Sequence, residues 1–253
     1  TGHLTSDDPH LINAYAASGV DSCHESVTAD QILAKLRAGV YAMIREGSAW
    51  KDLKTCIQPF VRSNLDTSGV MLVTDDVHAD TLIQTGHINA VINLAIAEGI
   101  SPVKAIQMAT INTARYFRLD ETIGCIAPGR LADMILFDTL EQIVPASVYV
   151  GGQLVYSAEQ PVVDDQPVFG WPPELLNTIK LPHALSRELF QLPARISTGT
   201  IELPVIAVHE NSAVTDRLTC ALKVADGVVQ VDLEQDLIMA TCLERYTGAG
   251  GHA

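Results

Sequence analysis

Two adjacent carboxylates, Asp75 and Asp76, follow directly on the apolar run Val70-Met-Leu-Val-Thr74. A buried strand that empties into carboxylates is how parallel barrels present metal ligands and proton acceptors at their C-terminal rim. Two upstream strand-like runs end comparably, one in His3 and one in Cys23-His24-Glu25. Two imidazoles and an acid, each on its own short strand, form the donor set of a hydrolytic metal site, where the ion lowers the pKa of a bound water. His3, His24 and Asp75 are therefore the candidate ligands, with Asp75 also the candidate proton acceptor. Asp76, one residue on, points elsewhere and is placed to hydrogen-bond a ring nitrogen of a heterocycle. Taken singly, each doublet is more often a loop turn or helix cap than a functional pair, and His3 reads also as a frayed terminus. The ordered series carries the metal reading.

Arg45-Glu46-Gly47-Ser48 also ends a strand-like run, Val40 to Ile44, and so occupies a rim position. Arg45, Glu46 and Ser48 are candidate substrate contacts. The competing reading is an Arg45–Glu46 ion pair that fixes the loop. His78 and His87 fall near helix surfaces, and His10, His183, His209 and His252 show no ligand spacing and read as surface residues. Five cysteines, Cys23, Cys56, Cys125, Cys220 and Cys242, read as buried small apolar side chains rather than nucleophiles.

The elements that must hold these groups alternate. A helix over Asp8 to Ala17 precedes a strand at Val20 to His24, and Thr28 with Gln31 forms a capping box for a helix over Ala29 to Arg37. The strand Val40 to Ile44, a helix around Trp50 to Ser63 and the strand Val70 to Thr74 follow. Strand and helix in regular succession predict βα units around a parallel sheet. Helices are predicted over Ala79 to Glu98 and from Ser101-Pro102 to Leu119. Beyond residue 119 the runs Met134–Phe137 and Val148–Val150, separated by glycines and prolines, predict a small antiparallel sheet. Four prolines mark a linker over 157–174, and Thr200–Val208 and Ala221–Val231 predict strands of a further α+β unit.

Composition narrows the partners. The chain of 253 residues is 47% hydrophobic and 18% charged, which fits a globular fold. Thirty acidic residues against sixteen basic ones give a net charge of −14, so nucleic-acid polymers and anionic membranes are poor partners. Ile88 to Ile100 is interrupted by Asn89, Asn93 and Glu98 and falls short of a membrane span. An odd number of scattered cysteines fits a reduced cytoplasmic setting. The opening Thr-Gly-His reads as the middle of a longer chain.

Several strings resemble the adenine deaminases of the amidohydrolase superfamily: Asp21-Ser-Cys-His-Glu25, Met43-Ile-Arg-Glu-Gly-Ser48, Leu72-Val-Thr-Asp-Asp76, Gly86-His-Ile-Asn89, Ile106-Gln-Met-Ala-Thr-Ile-Asn112 and Ile126-Ala-Pro-Gly-Arg130. The resemblance is close over residues 1–156 and weaker beyond. It implies an α/β fold, the C-terminal half of a (β/α)8 barrel over 1–119, then a small β-sandwich segment over 120–156, the linker, and a partial C-terminal α+β domain over 175–253. It implies hydrolysis of adenine to hypoxanthine and ammonia at a divalent metal, manganese or iron, with zinc as a further option. Glu25 then joins Asp75 in proton transfer, and Asp76 recognises the purine base. In that family a His-x-His pair and an acidic ligand precede Thr1, so the chain is expected to be inactive alone, completed by an N-terminal half or by assembly with copies of itself. Two alternatives remain open: another cyclic amidohydrolase, and a catalytically inactive binding module of the same fold. A half-barrel is further expected to expose an unpaired strand edge and an apolar sheet face.

Overall fold

The computed structural model describes residues 1–63, 65–159, 170–181, 185–210, 212 and 214–249. The chain divides into two compact units, residues 1–163 with 209–214, and residues 164–208 with 215–253. The first unit begins with α1 (Pro9–Ala17), β1 (Ser22–Cys23), α2 (Ala29–Arg37), β2 (Tyr41–Arg45), α3 (Leu53–Cys56), α4 (Gln58–Ser63) and β3 (Val70–Val73). The three strands lie parallel in chain order, with Cys23 opposite Ala42 and Ala42 opposite Val70. Parallel neighbours need a crossover rather than a hairpin, and α2 and then α3 with α4 supply it.

Local chemistry sets the helix starts. Asp8 accepts a hydrogen bond from the His10 amide at 2.8 Å, with Pro9 preset for the first turn of α1. Thr28 accepts from the Gln31 amide at 3.3 Å, while the Gln31 side chain accepts from the Val27 amide at 2.9 Å, so the box closes one residue earlier than the usual pattern. The three longer helices expected from apolar periodicity are each split. Pro59 lacks an N–H and divides the first at Ile57. The second becomes α5 (Ala79–Gln84) and α6 (Ile88–Ala97), broken at Gly86 with φ 111°. The third becomes α7 (Pro102–Ala109) and α8 (Ile111–Tyr116), divided where Thr110 leaves helical geometry and its hydroxyl donates back to the Ile106 carbonyl at 2.7 Å. Among the described residues no helix is long and apolar enough to cross a membrane.

Pleating sends alternate residues of β2 and β3 to opposite faces. Ala42, Ile44, Val70 and Leu72 pack with Ile32, Leu53, Ile57, Phe60, Val91 and Met108 in the main core. Met43, Arg45 and Met71 take the other face. The expectation of a bare apolar face is not met, because Met43 and Met71 are buried as well. β3 stands at the edge of its sheet. Asn112, buried on α8, donates to the Thr67 and Val70 carbonyls at 2.7 and 3.0 Å, satisfying acceptors where β3 begins.

The rest of the first unit carries β4 (Met134–Leu136), β5 (Ser147–Val150) and β6 (Gln153–Ser157), an antiparallel sheet with a register shift at Val148 and Tyr149. Ile143, between β4 and β5, is docked on α6 by a pair of hydrogen bonds with the Asn93 side chain, 2.6 and 3.1 Å. Both bonds engage one amide, which makes this a specific anchor for the sheet. Much of the expected linker, residues 160–169, lies outside the described residues. In the second unit β7 (Gly199–Val208), β8 (Thr215–Ala225) and β9 (Val228–Val229) form an antiparallel sheet around Leu222, Val224 and Val229. Among its described residues there are short 3-10 turns but no α-helix, so the helical part of the expected α+β unit is not found there.

Candidate metal centre

Parallel strands bring their C-terminal ends to one rim, and the candidate groups arrive by that route. His24 and Glu25 leave β1, Arg45 ends β2, and Asp75 follows β3. Gly2 forms a parallel bridge with Cys23, its amide donating to the Ser22 carbonyl at 3.0 Å, and this stub beside β1 carries His3 to His24. The two rings meet edge to face with centroids 4.4 Å apart. His3 Nδ1 lies 3.0 Å from Glu25 Oε1, and His24 Nε2 lies 3.7 Å from the same oxygen. One potential ligand atom from each of His3, His24 and Glu25 falls within 4.8 Å of the others.

Arg45 organises the acids around this cluster. Its side chain is 0% exposed, and Nη1 donates both to Glu25 Oε1 at 2.9 Å and to Asp75 Oδ2 at 3.0 Å. Nε donates to Asp52 Oδ2 at 2.8 Å, and the guanidinium lies 4.8 Å from the Trp50 ring centroid. Only Nη2 is buried without a partner among the described residues. Its bonds go to acids of the rim, and beyond Nη2 this guanidinium has no N–H left for the substrate contact expected of it. The alternative Arg45–Glu46 ion pair is not formed either. Glu46 points to the helix-facing side, where its carboxylate accepts from the Leu53 amide at 3.2 Å.

Electrostatics follow from this arrangement. Burial alone would raise the Glu25 carboxyl, but hydrogen bonds from Arg45 and His3 and the Arg45 charge outweigh it, leaving it below the ordinary value. Burial and the neighbouring His3 push the His24 imidazole down, with Asp75 and Glu25 opposing in part, which favours the neutral form that ligates metal. Burial raises Asp52, Arg45 only partly offsets it, and the nearby Glu25 and Asp75 charges push in the same direction as burial. Burial raises Glu46 too.

Two imidazoles and a carboxylate on adjacent segments are the donor types of a divalent transition-metal site, and the neutral bias of His24 suits it. The residues fit such an ion. Asp75, expected among the ligands, is tied instead to Arg45 and lies outside the three-residue group, at a left-handed φ of 63°.

The remaining expected contacts are dispersed. Asp76 Oδ2 accepts from the Ala49 amide at 2.7 Å, while Oδ1 is buried with no partner among the described residues. Ser48 donates to Thr81 at 2.9 Å and accepts from the His78 amide at 2.9 Å, so it braces the rim loops. A cleft of about 470 Å³ lies beside them, lined by Glu46, Lys51, Thr74, Thr81, His87 and Ala90 among others, but none of His3, His24, Glu25 or Asp75 lines it. Alternation along β2 explains the separation, since Arg45 and Glu46 project to opposite faces. His78 and His87 sit at helix starts without capping side-chain bonds. His183 and His252 lie outside the described residues. Of the cysteines, Cys23 and Cys56 are buried as expected, whereas Cys125 and Cys242 are exposed. Asp52 and Lys35 were not foreseen.

Gly47 owes its identity to close approach. A Cβ there would overlap the Asp76 carboxylate and crowd its carbonyl, to which the Ser48 amide donates at 2.7 Å. Gly47→Ala is expected to destabilise the chain by about 1–3 kcal/mol through overpacking. Urea denaturation measures it, and an unchanged midpoint would show that the rim loop yields freely.

Residues 5–166 match the amidohydrolase family, and the chain belongs to it. It is 37% identical over 251 residues to an adenine deaminase of Moorella thermoacetica, covering 99% of this chain and 42% of that protein. An adenine deaminase of Mesorhizobium japonicum is 39% identical over 252 residues, covering 99% and 41%. The chain thus spans about two fifths of the length of the curated relatives it matches. Among solved structures, molinate hydrolase aligns over 67% of this chain and 46% of its own at 13% identity and a TM-score of 0.44, a likeness that adds nothing to the family assignment.

Proposed function

We propose that this chain is the C-terminal part of a metal-dependent enzyme that hydrolyses adenine to hypoxanthine and ammonia. The carrying observation is that His3, His24 and Glu25 converge at the C-terminal ends of parallel strands, with Asp75 joined to Glu25 through one guanidinium. Identity to adenine deaminases along nearly the whole chain supports the choice of substrate. On this reading β1 to β3 and the Gly2 stub are part of a (β/α)8 barrel, β4 to β6 belong to a small β-sandwich, and residues 175–253 begin a further domain. An N-terminal half completes the barrel and the ligand set, and assembly with other copies and a cytoplasmic location complete the proposal.

His3, His24 and Glu25 would hold the ion, manganese or iron, with zinc also matched by these donors. An ion held by these residues would supply Lewis acidity and lower the pKa of a water towards roughly 7. Asp75 takes the proton lost by water as its oxygen adds to C6, then returns it to the exocyclic nitrogen as the C–N bond breaks and ammonia leaves. Arg45 holds Asp75 and Glu25 in place and favours the charged form of Glu25. The unpartnered Asp76 Oδ1 accepts a hydrogen bond from a purine N–H.

Full-length enzyme is offered adenine, dihydroorotate and imidazolonepropionate. Ammonia and hypoxanthine from adenine alone are expected. Ring opening of either amide, with no ammonia from adenine, would move the chain to another amidohydrolase activity. Metal-free, inert protein would mark it as a binding module.

A further inference from the structure

Lys35 is wholly buried, yet the chemistry proposed above does not use it. It faces inward from α2 three residues after Ile32, the spacing that puts both on one helix face. Its ammonium donates to the Leu4 carbonyl and to Ser26 Oγ, the latter at 2.7 Å. Leu4 follows His3 directly, and Ser26 follows Glu25. Two cysteines reinforce the same points: Cys23 Sγ donates to the Leu4 carbonyl at 3.6 Å, and Cys56 Sγ to the Ser26 carbonyl at 3.2 Å. A buried amine is tolerated only where fixed acceptors replace its lost hydration, and both acceptors of Lys35 lie on these two segments, so its bonds tie each of them to α2.

We propose that Lys35 is a positioning residue: from the helix layer it pins the segment bearing His3 to the segment bearing His24 and Glu25, and so sets the affinity of the site for a divalent ion. A methionine of similar volume fills the same space but clamps neither segment. The proposal rests on the reading of His3, His24 and Glu25 as ligands. Removing a partner that orients metal ligands weakens binding by roughly 10–100-fold.

The test measures Mn²⁺ affinity of the full-length protein by competition with a chelator, on fractions shown to be folded by circular dichroism. Lys35→Met is expected to raise the dissociation constant by about 10-fold or more. Ser26→Ala, which removes one arm and keeps the ammonium, is expected to raise it several-fold, and it decides the matter if Lys35→Met does not fold. Unchanged Mn²⁺ affinity in folded Lys35→Met, or in Ser26→Ala where that is the only folded variant, overturns the proposal even if melting temperature falls. His24→Ala separates the two levels, because Mn²⁺ affinity unaffected by that change would remove the metal reading itself.

Discussion

Asp75→Asn in the full-length enzyme is expected to lower the rate of ammonia release from adenine by roughly 10²–10⁴-fold while leaving the fold intact. The amide matches the carboxylate in shape, and its oxygen still accepts from Arg45 Nη1, now 3.0 Å from Oδ2. It cannot take a proton. Asn also tolerates the left-handed φ of 63° at this position, so the substitution adds no backbone strain. Ammonia assays with melting curves measure the effect. Activity within ten-fold of the parent at an unchanged melting temperature would assign proton transfer to another group, with Glu25 the next to examine.

Arg45→Met should cost about 3–5 kcal/mol of stability, because buried Asp52 and half-buried Glu25 lose their cation, as does Asp75 at the exposed rim. Arg45→Lys keeps the charge on a single nitrogen and cannot reproduce the fork that reaches Asp52 from Nε while serving the other two from Nη1. It is expected to recover only part of the loss. Urea denaturation at neutral pH gives the magnitude, and pH gives a second signature. The folded Glu25 carboxyl lies below its ordinary 4.5, so its stabilising share is complete above that pH and fades as pH falls through the lower folded value. Asp52, raised by burial, works in the opposite sense. Arg45→Met should therefore flatten the acid limb of the Glu25 contribution. A variant as stable as the parent, with only a raised KM, would restore Arg45 to direct substrate contact.

Much of this arrangement was legible in residue order. Asp8 with Pro9 and Thr28 with Gln31 announce their helices, because caps act within a few residues of chain. The strand ends bearing His24 and Asp75 were equally visible, since apolar runs and the polar groups closing them are local. Helix breaks at Pro59 and Gly86 were present in the sequence but masked by apolar spacing that continued across them. Arg45 and Glu46 were read together as rim residues, although pleating sends neighbours to opposite faces and separates the acid hub from the cleft lined by Glu46. Lys35 and Asp52 were not legible. Spacing from Ile32 places Lys35 on the apolar face of its helix, but whether its amine stays inside or reaches back to solvent depends on partners distant in sequence.

The Arg45 hub also bears on how such a sequence can diverge. One guanidinium answers to acids from three separate stretches of chain, so no member of the quartet is free to drift by itself. Lineages that alter one of these positions should alter the others in concert, and recombination between distant relatives is safest at crossover points that inherit residues 25–75 as a single block.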